Sequence, residues 1–271
     1  MREHFIELHD GKLFAVDAGS GQPIVMLHGW PLDHRMFTYQ LQELASRFRV
    51  VAVDRRGFGK STAPADMSRE LDDIDRLIEQ LDLGRVHLLG VSQGGRIALR
   101  YAATRPERLR SLLLQGAVVD GLDVPEPESE RVPIERYSEL ARTGHLQKVI
   151  EHWLQHPMMA LPEGNIKERQ LLNDIVANYN GMDLVNYDPQ HYQFKENVLA
   201  KLGASTLRVM LLTGFRETEV RKRHATEILK RAANCREIVF SDSGHLSNLT
   251  EPAAFNRAVT DFCRSNDRNV A

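Results

Sequence analysis

A serine fenced by glycines, a histidine in a glycine-bearing loop and an acid between them are the residues whose types could do chemistry together in this chain. Ser92 lies in Gly90-Val91-Ser92-Gln93-Gly94, a G-x-S-x-G pattern between an apolar run and a helical pattern. Such a turn, the nucleophile elbow, lifts a hydroxyl above a strand end, and small neighbours let the backbone approach closely. A hydroxyl is a poor nucleophile at neutral pH and needs a base, for which imidazole is best matched. His245, in Ser243-Gly244-His245-Leu246, supplies one. A serine here could also merely cap a helix, so the histidine and the acid carry the nucleophile reading.

The acid should orient the imidazole and stabilise its charged form. Glu217, just after the apolar run that ends at Gly214, is the preferred residue. Glu219, Asp120 and Asp123 are the alternatives, and Glu217 could instead open a helix whose dipole favours acids. Attack on a carbonyl develops an oxyanion, which needs donors already aimed at it. The backbone N–H after the nucleophile, that of Gln93, is one; the loop following Ile24–Leu27 nominates Trp30 for the other, with Gly29 permitting the bend.

These residues must be held by an alternation of strands and helices. Two short alternating runs joined through Asp10-Gly11 read as a hairpin. Unbroken apolar runs at 23–29, 49–54, 86–91, 111–116, 207–214 and 236–240 suit strands buried on both faces. Helical periodicity falls at 33–48, 71–81, 93–105, 219–232 and 251–265. From 117 to 204 the alternation stops, prolines cluster at 125, 127 and 133, and helical segments at 134–155 and 166–180 have no strand between them. This predicts a core of 1–116 and 205–271 and a helical insertion at 117–204. Trp153, Met158, Met159, Tyr179, Tyr187, Tyr192 and Phe194 would pack that insertion, a few of them lining a pocket. A mostly parallel sheet follows, with ligands beyond the carboxyl ends of its strands, where the loops at Gly29, Gly90, Gly214 and Gly244 begin.

Composition narrows the partners. The 271 residues are 42% hydrophobic and 27% charged, with 35 basic and 37 acidic side chains mixed along the chain and a net charge of −2. Nothing in that balance points to nucleic acid or an anionic membrane, so a small-molecule substrate is expected. The N-terminus lacks the apolar core of a signal peptide and no run approaches a membrane span, which predicts a cytoplasmic protein. Cys235 and Cys263 have no metal-ligand spacing and are expected as reduced thiols. No cofactor or metal is expected, and a homo-oligomer is left open.

Taken together, "HGWPLDHRMF", "VVAVDRRGFGKST", "GVSQGG", "TGFRE" and "SGHLSNLTEP" resemble the α/β-hydrolase fold superfamily over about two-thirds of the chain, in the order Ser, acid, His. The resemblance implies an eight-stranded, mostly parallel sheet and a helical cap between the sixth and seventh strands. Similar proteins usually carry Asp where this chain has Glu217, and a minority place the acid at the position of Gln115. "HGWPLD" and "DRRGFGKS" are also similar to bacterial cofactor-free haloperoxidases. The 33–50 segment resembles cofactor-free ring-cleaving dioxygenases, which typically have His where this chain has Gln93. The Asp54-Arg55-Arg56-Gly57 turn is expected to be structural. The expected activity is cleavage of a carboxylic ester or lactone through an acyl-enzyme. C–C bond hydrolysis, perhydrolysis and oxygen chemistry are the alternatives within the fold, and a ligand sensor is the alternative outside catalysis.

Overall fold

A computed structural model describes residues 1–189, 196 and 198–267. Tyr192 and Phe194 lie outside the described residues. Eight strands form one sheet: β1 (Arg2–Leu8), β2 (Gly11–Gly19), β3 (Pro23–Leu27), β4 (Arg49–Asp54), β5 (Val86–Val91), β6 (Leu109–Gln115), β7 (Val209–Gly214) and β8 (Cys235–Phe240). Their order is β1-β2-β4-β3-β5-β6-β7-β8. Only β2 pairs antiparallel, with β1 and with β4; the remaining pairings are parallel. The hairpin closes at Leu8 opposite Gly11, so its two turn residues are His9 and Asp10. Gly11 itself faces a close approach: a Cβ there would lie 2.6 Å from the Ala63 Cα.

Apolar runs form strands here because the sheet is covered on both sides, and alternate residues feed two separate cores. Ile24, Met26, Val50, Ala52, Leu89 and Leu113 point to one face, with α1 (Thr38–Leu44) and the final helix Pro252–Asp267. Val25, Leu27, Val51, Val53, Leu88 and Leu112 point to the other, against α2 (Glu70–Gln80), α3 (Gln93–Thr104) and the helix Glu219–Arg231. Full burial of such side chains contributes about 1.5–3 kcal/mol each, which is what fixes the register.

Between β6 and β7 the chain makes α4 (Ile134–Arg142), α5 (Leu146–Leu154), α6 (Ile166–Val176), α7 (Met182–Val185) and α8 (Leu199–Gly203). In order, Glu219–Arg231 is α9, Ser247–Thr250 is α10 and Pro252–Asp267 is α11. The apolar residues of α4–α7 join the same core as Trp30 and Leu32, whereas Leu199 and Leu202 of α8 pack on the opposite face of the sheet with α3 and α9. The continuous helix expected at 134–155 is two: Gly144 at φ 77° takes a left-handed position while the His145 N–H returns to the Leu140 carbonyl and the Gly144 N–H to that of Ala141. The helix expected over 33–48 is also shorter. Asp33 caps a 3-10 turn at His34–Phe37, whose backbone the Asp54 carboxylate holds through the His34 N–H at 2.7 Å, and α1 follows. Cys235 and Cys263 are not joined in a disulfide.

Candidate active site

Ser92 sits between the end of β5 and the start of α3 at φ 53°, ψ −114°, a conformation that L residues rarely adopt. Holding it costs on the order of 1–3 kcal/mol, so its surroundings must over-determine it. They do so by close approach. The Ser92 N–H donates to the Gln115 carbonyl of β6 at 2.7 Å. A Cβ on Gly94 would lie 2.3 Å from the Leu27 carbonyl oxygen, and one on Gly95 2.8 Å from the Ala117 Cβ. Two glycines are therefore what let α3 seat against β3 and the β6 loop.

His245 lies in the loop after β8 and Glu217 in the loop after β7, the same end of the sheet. His245 Nδ1 and Glu217 Oε2 are 2.7 Å apart, and both side chains are buried. Burial pushes the Glu217 carboxyl up, but the His245 interaction and the Thr218 N–H outweigh it, so the group ends below its ordinary value and is ionised. Glu217 Oε1 accepts from the Thr218 N–H at 2.7 Å and from its hydroxyl at 3.1 Å. The opposite ring nitrogen, His245 Nε2, is buried with no hydrogen-bond partner among the described residues. The donating Nδ1 thus leaves Nε2 its lone pair.

None of the competing acids is hydrogen-bonded to the His245 ring. Glu219 is exposed and pairs with Lys222 at 3.2 Å, Asp123 is exposed, and Asp120 accepts from Arg96 Nε at 2.6 Å. Gln115, at the minority acid position, instead donates its amide to the His245 carbonyl at 2.7 Å and to Asn248 Oδ1 at 3.1 Å, anchoring the histidine loop.

Gly29 brings the loop after β3 against the serine, since a Cβ on it would stand 3.1 Å from the Ser92 Cβ. Trp30 follows, joined to Pro31 by a cis peptide. Gln93 is the first residue of α3, so its N–H is among those with no acceptor inside the helix. Arg55 ties the two segments together, a role that sequence reasoning missed. Its Nη1 donates to the His28 carbonyl at 3.2 Å and to Gln93 Oε1 at 2.8 Å, while Nε and Nη2 fork onto Glu70 at 2.6 Å each. His28 Nε2 accepts the Arg55 N–H at 3.0 Å, and burial pushes this imidazole down to about 3, keeping it neutral.

A family model described as alpha/beta hydrolase fold matches residues 22–252. The chain belongs to that family. The AB hydrolase superfamily protein YisY of Bacillus subtilis is 46% identical over 105 residues, which is 37% of this chain and 39% of that protein, so the match spans well under half of the relative's length. An esterase from Exiguobacterium antarcticum is 28% identical with a TM-score of 0.78, covering 96% of this chain and 98% of that one. A thermophilic esterase from Thermogutta terrifontis, 22% identical, superposes with a TM-score of 0.84 over 98% and 99% of the two chains.

In this α/β-hydrolase a cavity of about 630 Å³ opens onto Ser92, lined also by Trp30, Gln93, Trp153, Met158 and Arg221. Of the aromatic and Met residues expected at the pocket, Trp153, Met158 and Tyr187 line it. Met159 and Tyr179 are buried in the adjoining core. The Trp30 indole N–H donates to Asp183 Oδ2 at 2.8 Å and to the Tyr179 hydroxyl at 3.1 Å, and that hydroxyl donates in turn to Asp183. Asp33, His34 and Asp54 could together approach a metal ion, but their atoms are engaged: Asp33 with Arg35, His34 Nδ1 with Asp54 at 2.8 Å, and Asp54 Oδ2 with the Lys60 N–H at 2.8 Å. No helix among the described residues is long and apolar enough to cross a membrane.

Proposed function

We propose that this α/β-hydrolase cleaves a carboxylic ester or lactone of a small to medium substrate through an acyl-enzyme on Ser92. The observation that carries the reading is the His245 imidazole, fixed through Nδ1 by Glu217 while Nε2 has no hydrogen-bond partner among the described residues, at the sheet end where Ser92 stands on its strained turn. An imidazole so arranged is a base with one free lone pair. Nε2 takes the Ser92 proton as Oγ attacks the substrate carbonyl, and Glu217 stabilises the imidazolium that forms. The oxyanion is received by the Trp30 and Gln93 N–H groups, which Arg55 holds in register through His28 and the Gln93 side chain. His245 then returns the proton to the leaving oxygen. Water, deprotonated by the same nitrogen, attacks the ester carbonyl; the bond to Ser92 Oγ breaks, His245 returns the proton to that oxygen, and the acid is released.

The helices between β6 and β7 serve in this reading as a cap over the serine, contributing Trp153 and Met158 to the substrate wall. Intact-mass analysis after fluorophosphonate treatment, with peptide mapping and steady-state turnover of p-nitrophenyl esters, tests the proposal. One adduct on Ser92, abolished in His245→Ala and accompanied by steady turnover, is the expected result. An unlabelled serine in the wild type sinks the reading, and labelling without turnover of any ester or lactone shifts it to a ligand sensor.

A further inference from the structure

Two hydrogen-bond donors in the wall of the Ser92 cavity have no acceptor. Arg221 Nε and Trp153 Nε1 are both buried, both residues line the cavity, and neither atom has a hydrogen-bond partner among the described residues. Neither group can act as an acceptor, so only an acceptor brought from outside relieves them. For a guanidinium this matters most, because it stays charged even where burial pulls its pKa down, as it does at Arg221.

Two of the acids near Arg221 give their oxygens to other donors. Glu217 gives its oxygens to His245 and Thr218, and Glu130 gives its two to the N–H groups of Glu219 and Val220, each at 2.9 Å. Glu126 stands 3.9 Å from Arg131. Elsewhere in the cavity wall Asp120 Oδ1 accepts from Arg96 at 2.6 Å, so that carboxylate has its counter-ion, although its Oδ2 has no hydrogen-bond partner among the described residues. Asp183 is occupied by Trp30 and Tyr179. The cavity wall, which Asp123 and Glu126 also line, therefore holds a buried guanidinium N–H and an indole N–H that no acceptor among the described residues satisfies, together with the serine.

We infer that the cavity takes an ester or lactone bearing a free carboxylate, which Arg221 receives as its counter-ion with Trp153 Nε1 as a second donor. The cleavage at Ser92 rests on the hydrolase reading above; the anion site does not. A site with donors built for an anion disfavours the analogue that lacks it, because the donors then stay unpaired, and one charged hydrogen bond corresponds to a discrimination of about 10- to 100-fold.

Two matched pairs of esters test this, differing only in charge: mono-4-nitrophenyl glutarate against its methyl ester, and 3-carboxyphenyl butyrate against its methyl ester. The expected result is a kcat/KM about 10- to 100-fold higher for the acid of one pair in the wild type, reduced by 1 M NaCl. In Arg221→Gln the ratio should collapse toward one, and in Arg221→Lys it should be partly kept. A wild-type ratio of one or less in both pairs overturns the inference, whatever the variants do. Calorimetric titration of glutarate into Ser92→Ala, alone and combined with Arg221→Gln, separates the two readings. Glutarate binding that needs Arg221, with no ester turned over, upholds the anion site and removes the hydrolase reading. Ester turnover without charge preference and without glutarate binding does the reverse.

Discussion

Gly116 and the His245 ring are packed so closely that a Cβ on the glycine, which stands at φ 55°, would lie 2.4 Å from the imidazole Cε1 and 2.9 Å from Glu217 Oε2. The residue directly after β6 therefore leaves the space in which the histidine and the glutamate meet. Gly116→Ala both strains the backbone and drives a methyl into that pair. We expect a kcat loss of about 10²-fold or more, in line with what a displaced catalytic group costs, measurable on any p-nitrophenyl ester. Gly144→Ala, also at positive φ but with open space around it, is the control for backbone strain alone and should keep full kcat.

Replacing Glu217 by Gln keeps the shape of the side chain but removes the charge that, in the proposed mechanism, stabilises the imidazolium. It also allows an amide to face Nδ1 and favour the wrong tautomer. The expected fall in kcat is about 10²- to 10⁴-fold. Glu219→Gln, on an exposed side chain paired with Lys222, should change kcat by less than threefold, on the order of what a surface ion pair contributes. Equal activity of the Glu217 variant and the wild type would remove Glu217 from the mechanism.

Ser92 makes a further separable prediction, because its chemistry and its backbone are at odds. Ser92→Ala should lower kcat by on the order of 10⁴- to 10⁶-fold while keeping the strained φ of 53°. Ser92→Gly should be equally inactive yet more stable than Ser92→Ala, by about 1 kcal/mol, because glycine adopts positive φ without the steric cost. Urea unfolding of the two variants at one pH reads the difference. A less stable glycine variant would show that the turn carries no strain.

Stability should fall as pH falls below neutrality. Burial pushes the imidazoles of His28 and His87 from 6.5 down to about 3, and those of His156 and His224 to about 4. Below about pH 6.5 the unfolded chain takes up protons at these positions and the folded chain does not. Their contribution is thus complete above pH 6.5 and is lost as pH drops toward the folded values. Each histidine contributes a slope of about 1.4 kcal/mol per pH unit in that window. Glu217, held below its ordinary 4.5, adds a loss of the same sign at lower pH. Urea midpoints at pH 7.5, 6.0 and 5.0 should decline steadily, and His87→Gln should flatten the decline; equal midpoints would show that these histidines take up protons as readily in the fold as in the unfolded chain.

The parts of this molecule that are legible in its sequence are those where a local pattern is itself the physical cause. Arg49–Asp54 and Val86–Val91 are unbroken apolar runs because both faces of the sheet are covered, and both form strands over those same residues. Ser92 is legible because the turn it occupies demands small neighbours on either side. The break between α4 and α5 is harder to read: Gly144 is tolerable inside a helix, and only the hydrogen bonds of the closing turn make it a stop. Arg55, Gly116 and Asp183 carry no local signal at all. Arg55 acts on His28, Glu70 and Gln93, and Gly116 on His245, across distances in the chain that spacing does not encode. Arg55 in a charged turn reads as structural; here the structural role is to tie the segments on either side of Ser92.

Trp30 belongs by its backbone to the loop beside Ser92 and by its indole to Asp183 of α7 and Tyr179 of the connection before it. That segment is consequently no interchangeable module. A chimera that received the corresponding segment from a relative without the Asp183 and Tyr179 partners would strand a buried indole N–H and loosen the peptide next to it. New specificity in this scaffold is thus more safely sought by altering single wall residues such as Met158 than by transplanting the whole roof.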